Sequence, residues 1–445
     1  MEKVEEYIRG ISYEDIPAEV IDAAKAALAD YVAVTLAGSR MPESVIVRKF
    51  AAKHFSAPEA RIFGAADSAN SGLAALANAV AAHAHDLDDC SDLCLGHPTI
   101  TVAPAAFAVG EALGVSGKEL LRAYVLGLET MSRIAKPALP ETSQNGWHTT
   151  SVFGVFGAAG ASSALMGLSR EKTVMALGIA ASMAGGLRIN FGTTTKPYHA
   201  GMCSQKGVDA AVLADMGLTS NPRAIEGKDG FLQLFAGRSI TDKDFVMDSN
   251  WAILNPGLVY KRYPCCAGTH PALDCLLGLD VDIKEEDIQK IDVGVSLLSP
   301  CELIYHDPQT LTEAKFSMEY AIAMALVFKK AGVAEYSNAE NLQNPAVQSI
   351  IHKIHCYVHD DLAKLGFVGH APVRIAIHLK NGETISLAND FAKGNPKNPF
   401  GKKDFSDKFF ACMDGVKDKR DAELLYEKLL SLEKIENIKE LVSLC

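Results

Sequence analysis

Apolar residues recur at three- and four-residue intervals along most of the chain up to about residue 260, the spacing that lays them on one face of a helix. The run from Pro17 to Tyr31 is the first clear instance: a helix-compatible proline opens an Ala-rich amphipathic stretch. The same period predicts helices over 72–86, 104–113, 117–135, 152–166, 170–183 and 204–216. Small residues recur at the expected contact positions, which lets such helices approach closely. Thr149 to Ser169 carries no charge but is rich in Gly, Ala and Ser, so it reads as a buried helix and not a membrane span.

The period changes after Pro264. Residues 288–298 and 374–387 place Val and Ile on alternate positions, as strands do, and Asn381-Gly382 marks a tight hairpin turn. One helix is predicted over 317–330 and a further strand over 354–358. Gly394 to Gly401, with two prolines, reads as a linker, and 404–444 returns to amphipathic helix. This order predicts a mainly α protein: a large all-helical domain built from 1–263 and 396–445, with a smaller α+β domain, 264–395, inserted and able to close like a lid.

A chain of 445 residues accommodates two such domains. Its net charge of −11 argues against nucleic acid or an anionic membrane as partner, and makes local clusters of cations more informative. The ten cysteines form no regular framework, and the adjacent Cys265-Cys266 pair does not suit zinc, so they read as reduced thiols in a cytoplasm. Met1 to Ile8 lacks the basic-then-apolar pattern of a secretory leader.

Three clusters carry candidate chemistry. In the first, Phe191-Gly-Thr-Thr-Thr-Lys-Pro-Tyr-His-Ala-Gly-Met202, Lys196 and His199 sit among glycines and a proline, which suggests a sharply shaped loop. A buried cation there needs a compensating partner, and an anionic substrate is one candidate. The second is His83-Ala-His85-Asp86-Leu-Asp88-Asp89-Cys90, followed by His97-Pro98. If its helix runs on, His83, Asp86 and Cys90 share a face. Helix-end hydrogen bonding, a carboxylate that orients a catalytic histidine, and a metal site all fit; with no further patterned ligands, no metal is assigned. The third, Tyr260-Lys-Arg-Tyr-Pro-Cys-Cys-Ala-Gly-Thr-His270, sets Lys261, Arg262, two thiols and His270 where the period changes, a plausible cleft edge where a cation grips a carboxylate. His148, just before a predicted helix and among hydroxyl residues, suits acid–base work equally well as a structural role. No phosphate loop or dinucleotide fingerprint is present. Such a set suits cofactor-free proton transfer beside a carboxylate, with cations stabilising an enediolate-like transition state.

Taken in order, His85-Asp-Leu-Asp-Asp89, His97-Pro98, Trp147-His148, Gly192-Thr-Thr-Thr-Lys-Pro-Tyr-His-Ala-Gly201, Lys261-Arg-Tyr-Pro264, Phe316-Ser-Met-Glu-Tyr320 and Asn395-Pro-Lys-Asn-Pro399 resemble the MmgE/PrpD family. That family includes 2-methylcitrate dehydratases, cis-aconitate decarboxylases and iminodisuccinate epimerases. The resemblance implies a helical domain with an inserted α+β lid, a cleft between them, a homodimer, and no metal or organic cofactor. It implies a catalytic set of Asp86, His97, His148, Lys196 and Tyr320, with the histidines as acid–base groups and Tyr320 as a donor. Lys196 and Lys261 would hold carboxylates of a small di- or tricarboxylate, with Cys90, Cys266, His199, Arg262 and His270 as further substrate contacts. Dehydration or decarboxylation is the leading expectation and epimerisation the alternative, followed by a non-catalytic carboxylate-binding protein. Cys90 and Cys266 depart from the cis-aconitate decarboxylases, which carry a threonine and a histidine at the matching positions.

Overall fold

The computed structural model describes residues 10–54, 57–239, 250–281 and 283–445. The leader reading of residues 1 to 8 and the stretch 240–249 of the expected helical domain lie outside them. The protein is mainly α. Its first part comprises α1 (Ala18–Gly38), α2 (Pro42–Lys53), α3 (Ser71–His83), α4 (Thr99–Leu113), α5 (Gly117–Ala135), α6 (Thr149–Leu165), α7 (Arg170–Met183) and α8 (Thr195–Asp215). Local signals set several of the ends. The Asn70 side chain accepts from the Leu73 amide at the start of α3, Ser116 and Glu119 form a capping box on α5, and Ser169 caps α7.

Helix α8 packs between α3 and α6, and small residues explain how closely. A Cβ on Gly201 would lie 2.6 Å from the Leu76 carbonyl of α3, and one on Gly207 would lie 2.3 Å from Ala158 Cβ of α6. A side chain at either position would push the helices apart. The first turn of α8, which carries Lys196 and His199, is therefore fixed by main-chain contacts on two sides.

Past Pro264 come α9 (His270–Leu277) and α10 (Met318–Phe328), with a four-stranded sheet of β1 (Ile288–Val295), β2 (Ile354–Val358), β3 (Val373–Leu379) and β4 (Thr384–Asn389). Spatial order is β2-β1-β3-β4. Strand β2 runs parallel to β1, with Ile291 opposite Ile354, while β3 is antiparallel to β1 and forms a hairpin with β4. The turn contains Asn381-Gly382, with Gly382 at φ 92°, as the sequence predicts. Ile291, Val293, Ile375 and Ile377 join Tyr320, Ile322 and Met324 of α10 in one apolar core. The tail, α11 (Lys402–Met413) and α12 (Lys419–Leu430), returns to a different core: Phe409, Met413 and Leu425 pack with Val20, Leu28 and Val32 of α1. The buried Lys408–Asp30 pair, 2.6 Å apart, ties the two together. Among the described residues no helix is long and apolar enough to cross a membrane.

Two expectations are corrected. Helix α3 stops at His83, so His83, Asp86 and Cys90 do not share a helical face. The Lys196–His199 segment is not a loop but the opening of α8, with Pro197 in the first turn, where its missing N–H costs nothing; the sharp bend falls earlier, at Gly192, φ 79°. The tail is helical as expected, with its two longer helices parted around Gly415, φ 65°.

Candidate active site

Just past the end of α3 the chain turns through a left-handed residue, Asp86, at φ 54°. Asp is among the few residues that enter this region readily, because its short side chain bonds locally. The turn presents the Asp86 carboxylate to two lysines from distant parts of the chain. Lys196 Nζ donates to Oδ1 at 2.6 Å; Lys261 Nζ donates to Oδ2 and to the Asp86 carbonyl, both at 2.9 Å. All three side chains are buried. Burial alone would raise the Asp86 carboxyl, but the two ammoniums outweigh it and hold the group well below the usual carboxylate range. Burial likewise disfavours the Lys261 ammonium, and the Asp86 charge reverses this and raises its pKa.

Histidines surround this triad. His83 Nε2 lies 2.7 Å from Lys196 Nζ, and its Nδ1 lies 2.8 Å from Asp88 Oδ1. An ammonium has no lone pair to offer, so His83 accepts at Nε2 and carries its proton on Nδ1. Burial pushes its pKa down to about 3 against the pull of Asp88, with Lys196 and His97 adding to the fall. The other Asp88 oxygen is 2.9 Å from His97 Nδ1, which is also 3.0 Å from the Asp89 carbonyl. The His97 ring is thereby held with Nε2 as its free nitrogen, 3.9 Å from Asp86 Oδ1. His148 is seated by its own amide, which donates to the Gly186 carbonyl at 2.9 Å, and by a T-shaped contact with Phe191. Its Nδ1 is 3.1 Å from His199 Nδ1, while its Nε2 is buried with no hydrogen-bond partner. Burial, then Lys196 and His199, force the His148 pKa far below its ordinary value; burial and Lys196 bring His199 down to about 4.

These groups open on a cleft enclosing about 520 Å³ of empty space, part of it continuous with solvent. Asp86, Cys90, His97, His148 and Lys196 reach it from the first half of the chain, and Cys266, Leu298, Glu302 and Phe316 from the second. The Lys196 ammonium also lies 5.3 Å and 5.0 Å from the ring centres of Phe191 and Phe316. Cys266 Sγ donates to Glu302 Oε2 at 3.6 Å.

Six of the residues singled out by sequence therefore share one cleft, and two more stand directly behind it: Lys261 behind Asp86, His199 behind His148. Tyr320, Arg262 and His270 are placed elsewhere. Tyr320 is buried in the core around the sheet, edge-on to Tyr336, with its hydroxyl unpartnered. Arg262 is more than half exposed, with its guanidinium 3.9 Å from Asp274 and over the Tyr263 ring. His270 packs against Tyr263, with Nε2 3.3 Å from the Cys265 carbonyl. Sequence reasoning passed over Asp88 and Glu302. The first lay in plain view within a motif; the second, in Ser299-Pro-Cys-Glu302, carries no local signal.

Ligand atoms of His83, Asp86, Asp88 and His97 lie within 4.8 Å of one another, a spacing a metal ion would accept. The Lys196 ammonium, bonded to His83 Nε2 and Asp86 Oδ1, already places one positive charge beside this group.

Residues 2–243 match the model of the MmgE/PrpD N-terminal domain and residues 263–432 that of the MmgE/PrpD C-terminal domain. The chain belongs to the MmgE/PrpD family. Within it the chain is similar to the cis-aconitate decarboxylase of Homo sapiens, 28% identical over 83% of this chain and 78% of the relative. A cis-aconitate decarboxylase-like protein of Aspergillus oryzae is 28% identical over 98% of this chain and 95% of its own length. The cis-aconitate decarboxylase of Aspergillus terreus is 26% identical over 98% and 93%. These MmgE/PrpD relatives align with both halves of the chain, so the two walls of the cleft fall within the similarity.

Proposed function

We propose that this MmgE/PrpD protein is a lyase that moves a proton next to a carboxylate of a small di- or tricarboxylate, without a metal or organic cofactor. The observation that carries the reading is the buried, unpartnered Nε2 of His148, a residue lining the cleft whose one lysine, among the described residues, is Lys196. A nitrogen left without a partner at that depth costs free energy unless a ligand supplies one. Lys196 would hold the substrate carboxylate and stabilise the enediolate charge as it develops. Burial keeps His148 neutral and so able to accept a proton, and the negative charge of a bound carboxylate would draw its pKa back toward neutrality. His97, whose neutral ring carries its proton on Nδ1, would first take up a proton at Nε2, favoured by the Asp88 carboxylate behind it, and then deliver that proton to the leaving group.

Dehydration and decarboxylation pass through a similarly stabilised carbanion: in the first, proton removal forms it and hydroxide then departs; in the second, loss of carbon dioxide forms it and a proton is then added. The cis-aconitate decarboxylases among the relatives favour the second. Epimerisation is the second reading, favoured by two histidines on one cleft, one able to remove a proton and the other to return it. A homodimer belongs to the proposal through the family resemblance, and light scattering tests it.

Proton NMR in D₂O with cis-aconitate, 2-methylcitrate, malate, tartrate and iminodisuccinate tests the reaction. A new product identifies a lyase, and deuterium in otherwise unchanged substrate identifies an epimerase. Absence of both across the panel, together with unaltered ligand binding in Lys196→Ala, overturns the assignment.

A further inference from the structure

Resting on the carboxylate reading above, the charges on the cleft wall narrow the substrate further. Among the described residues Lys196 is the one lysine or arginine lining the cleft, whereas Asp86, Asp92 and Glu302 all line it. Lys261 gives no help, because both its contacts go to Asp86 and it is fully buried. Within the inner cluster the charges of Lys196, Lys261 and the adjoining buried Lys315 are balanced by those of Asp86, Asp88 and Glu43. A trianion would thus meet one ammonium and two further carboxyl groups, Asp92 and Glu302, with no surplus positive charge.

A dianion fits better. One carboxylate can take Lys196. For the other, Thr150 and Ser91 line the same cleft and use their hydroxyl oxygens as acceptors, from the His97 amide at 3.0 Å and the Leu93 amide at 3.3 Å. Their hydroxyl hydrogens are therefore available to donate. Across from these groups in sequence, Glu302 and Cys266 come from the second half of the chain and face the same space. The Cys266 thiol is a weak donor, so its 3.6 Å contact leaves the Glu302 carboxyl with acceptor capacity to spare. Burial pushes the Cys266 thiol and the Glu302 carboxyl pKa values up alike, which keeps Cys266 a donor.

We propose that Glu302, braced by Cys266, is a specificity-determining residue that accepts a hydrogen bond from a hydroxyl or ammonium substituent, so that the preferred substrate is a small dicarboxylate carrying such a donor and not a tricarboxylate. A site built to pair with a donor rejects the analogue that lacks it more strongly than a mismatch of apolar size would.

Calorimetric titration of the full-length protein with succinate, malate, aspartate and cis-aconitate tests this. Malate or aspartate is expected to bind at least about tenfold more tightly than succinate or cis-aconitate. The better of the two identifies the donor as hydroxyl or ammonium. In Glu302→Ala, checked for an unchanged melting temperature, the advantage over succinate is expected to shrink to within about threefold. Equal or tighter binding of cis-aconitate by the wild type overturns the proposal, and needs no variant to be seen. So does an advantage that survives Glu302→Ala. Lys196→Ala separates the two levels: weaker binding of all four ligands supports the carboxylate site whatever Glu302 does. Binding of the four that is absent, or indifferent to Lys196→Ala, removes that site and the Glu302 proposal with it.

Discussion

Lys261 donates to both the carboxylate and the main-chain carbonyl of Asp86, at 2.9 Å each, and so pins a left-handed residue by its backbone as well as its charge. Asp86→Asn preserves the shape but leaves two buried ammoniums facing a neutral amide. Removing one partner from a buried ionic group costs about 3–5 kcal/mol, and urea unfolding at neutral pH should show a loss of that order. Because the Asp86 pKa is depressed in the folded protein, its stabilisation is complete above about pH 4 and is lost as pH falls below that value. The gap between wild type and variant should therefore narrow on acidification.

Asp88 shares its two oxygens between His83 and His97. Asp88→Asn offers one acceptor and one donor where two acceptors stood. Displacing an orienting carboxylate lowers turnover by roughly two to four orders of magnitude while substrate binding changes little. Nitrogen-15 NMR should show the His83 Nδ1–H signal shifted by loss of its charged acceptor, with the tautomer kept because the Lys196 ammonium still occupies Nε2; His97 retains the Asp89 carbonyl. An unchanged His83 signal would mean that Asp88 does not orient it.

For His148, function and stability should part. Its Nε2 contributes no hydrogen bond to the fold, so His148→Asn is expected to shift the melting temperature by only a few degrees while turnover drops by about 10²–10⁴. Activity within tenfold of wild type would remove His148 from the acid–base role.

His270 provides a pH test away from the cleft. Burial, then Lys261, lowers its pKa to about 3 in the folded chain, against about 6.5 when unfolded. A depressed folded value means that stability is unaffected above the unfolded pKa and is lost as pH falls, here by about 1.4 kcal/mol per pH unit between about 6.5 and 3. In His270→Gln that portion of the slope should vanish, as urea titrations at pH 6.5, 5.5 and 4.5 can measure.

What sequence made legible followed from local rules. Helices α5 and α7 fall at their predicted bounds because caps and small-residue spacing are written into them, and β2 and the β3–β4 hairpin likewise follow from alternation and Asn381-Gly382. The turn at Asp86 was misread as helix because its left-handed φ depends on two lysines more than a hundred residues away. For the same reason Glu302 carried no signal: it matters only through the cleft that the two cores close between them. The placement of Tyr320 and Arg262 off the cleft wall is a matter of side-chain direction, which spacing does not encode.

The glycines of α8 bear on how such a site can change. Gly201 and Gly207 seat the helix that carries Lys196 directly on neighbouring main chain, whereas Cys266, the hydrogen-bond partner of Glu302, belongs to a separate apolar core. The two walls of the cleft thus rest on different packing and meet where Lys196 lies over the Phe316 ring of the second core. On the proposed function, substitutions at Glu302, whose hydrogen bond goes to Cys266, would retune which acid is accepted while leaving the lysine–carboxylate–histidine hydrogen bonds in place, so that one proton-transfer apparatus would serve different acids through changes on the opposite wall.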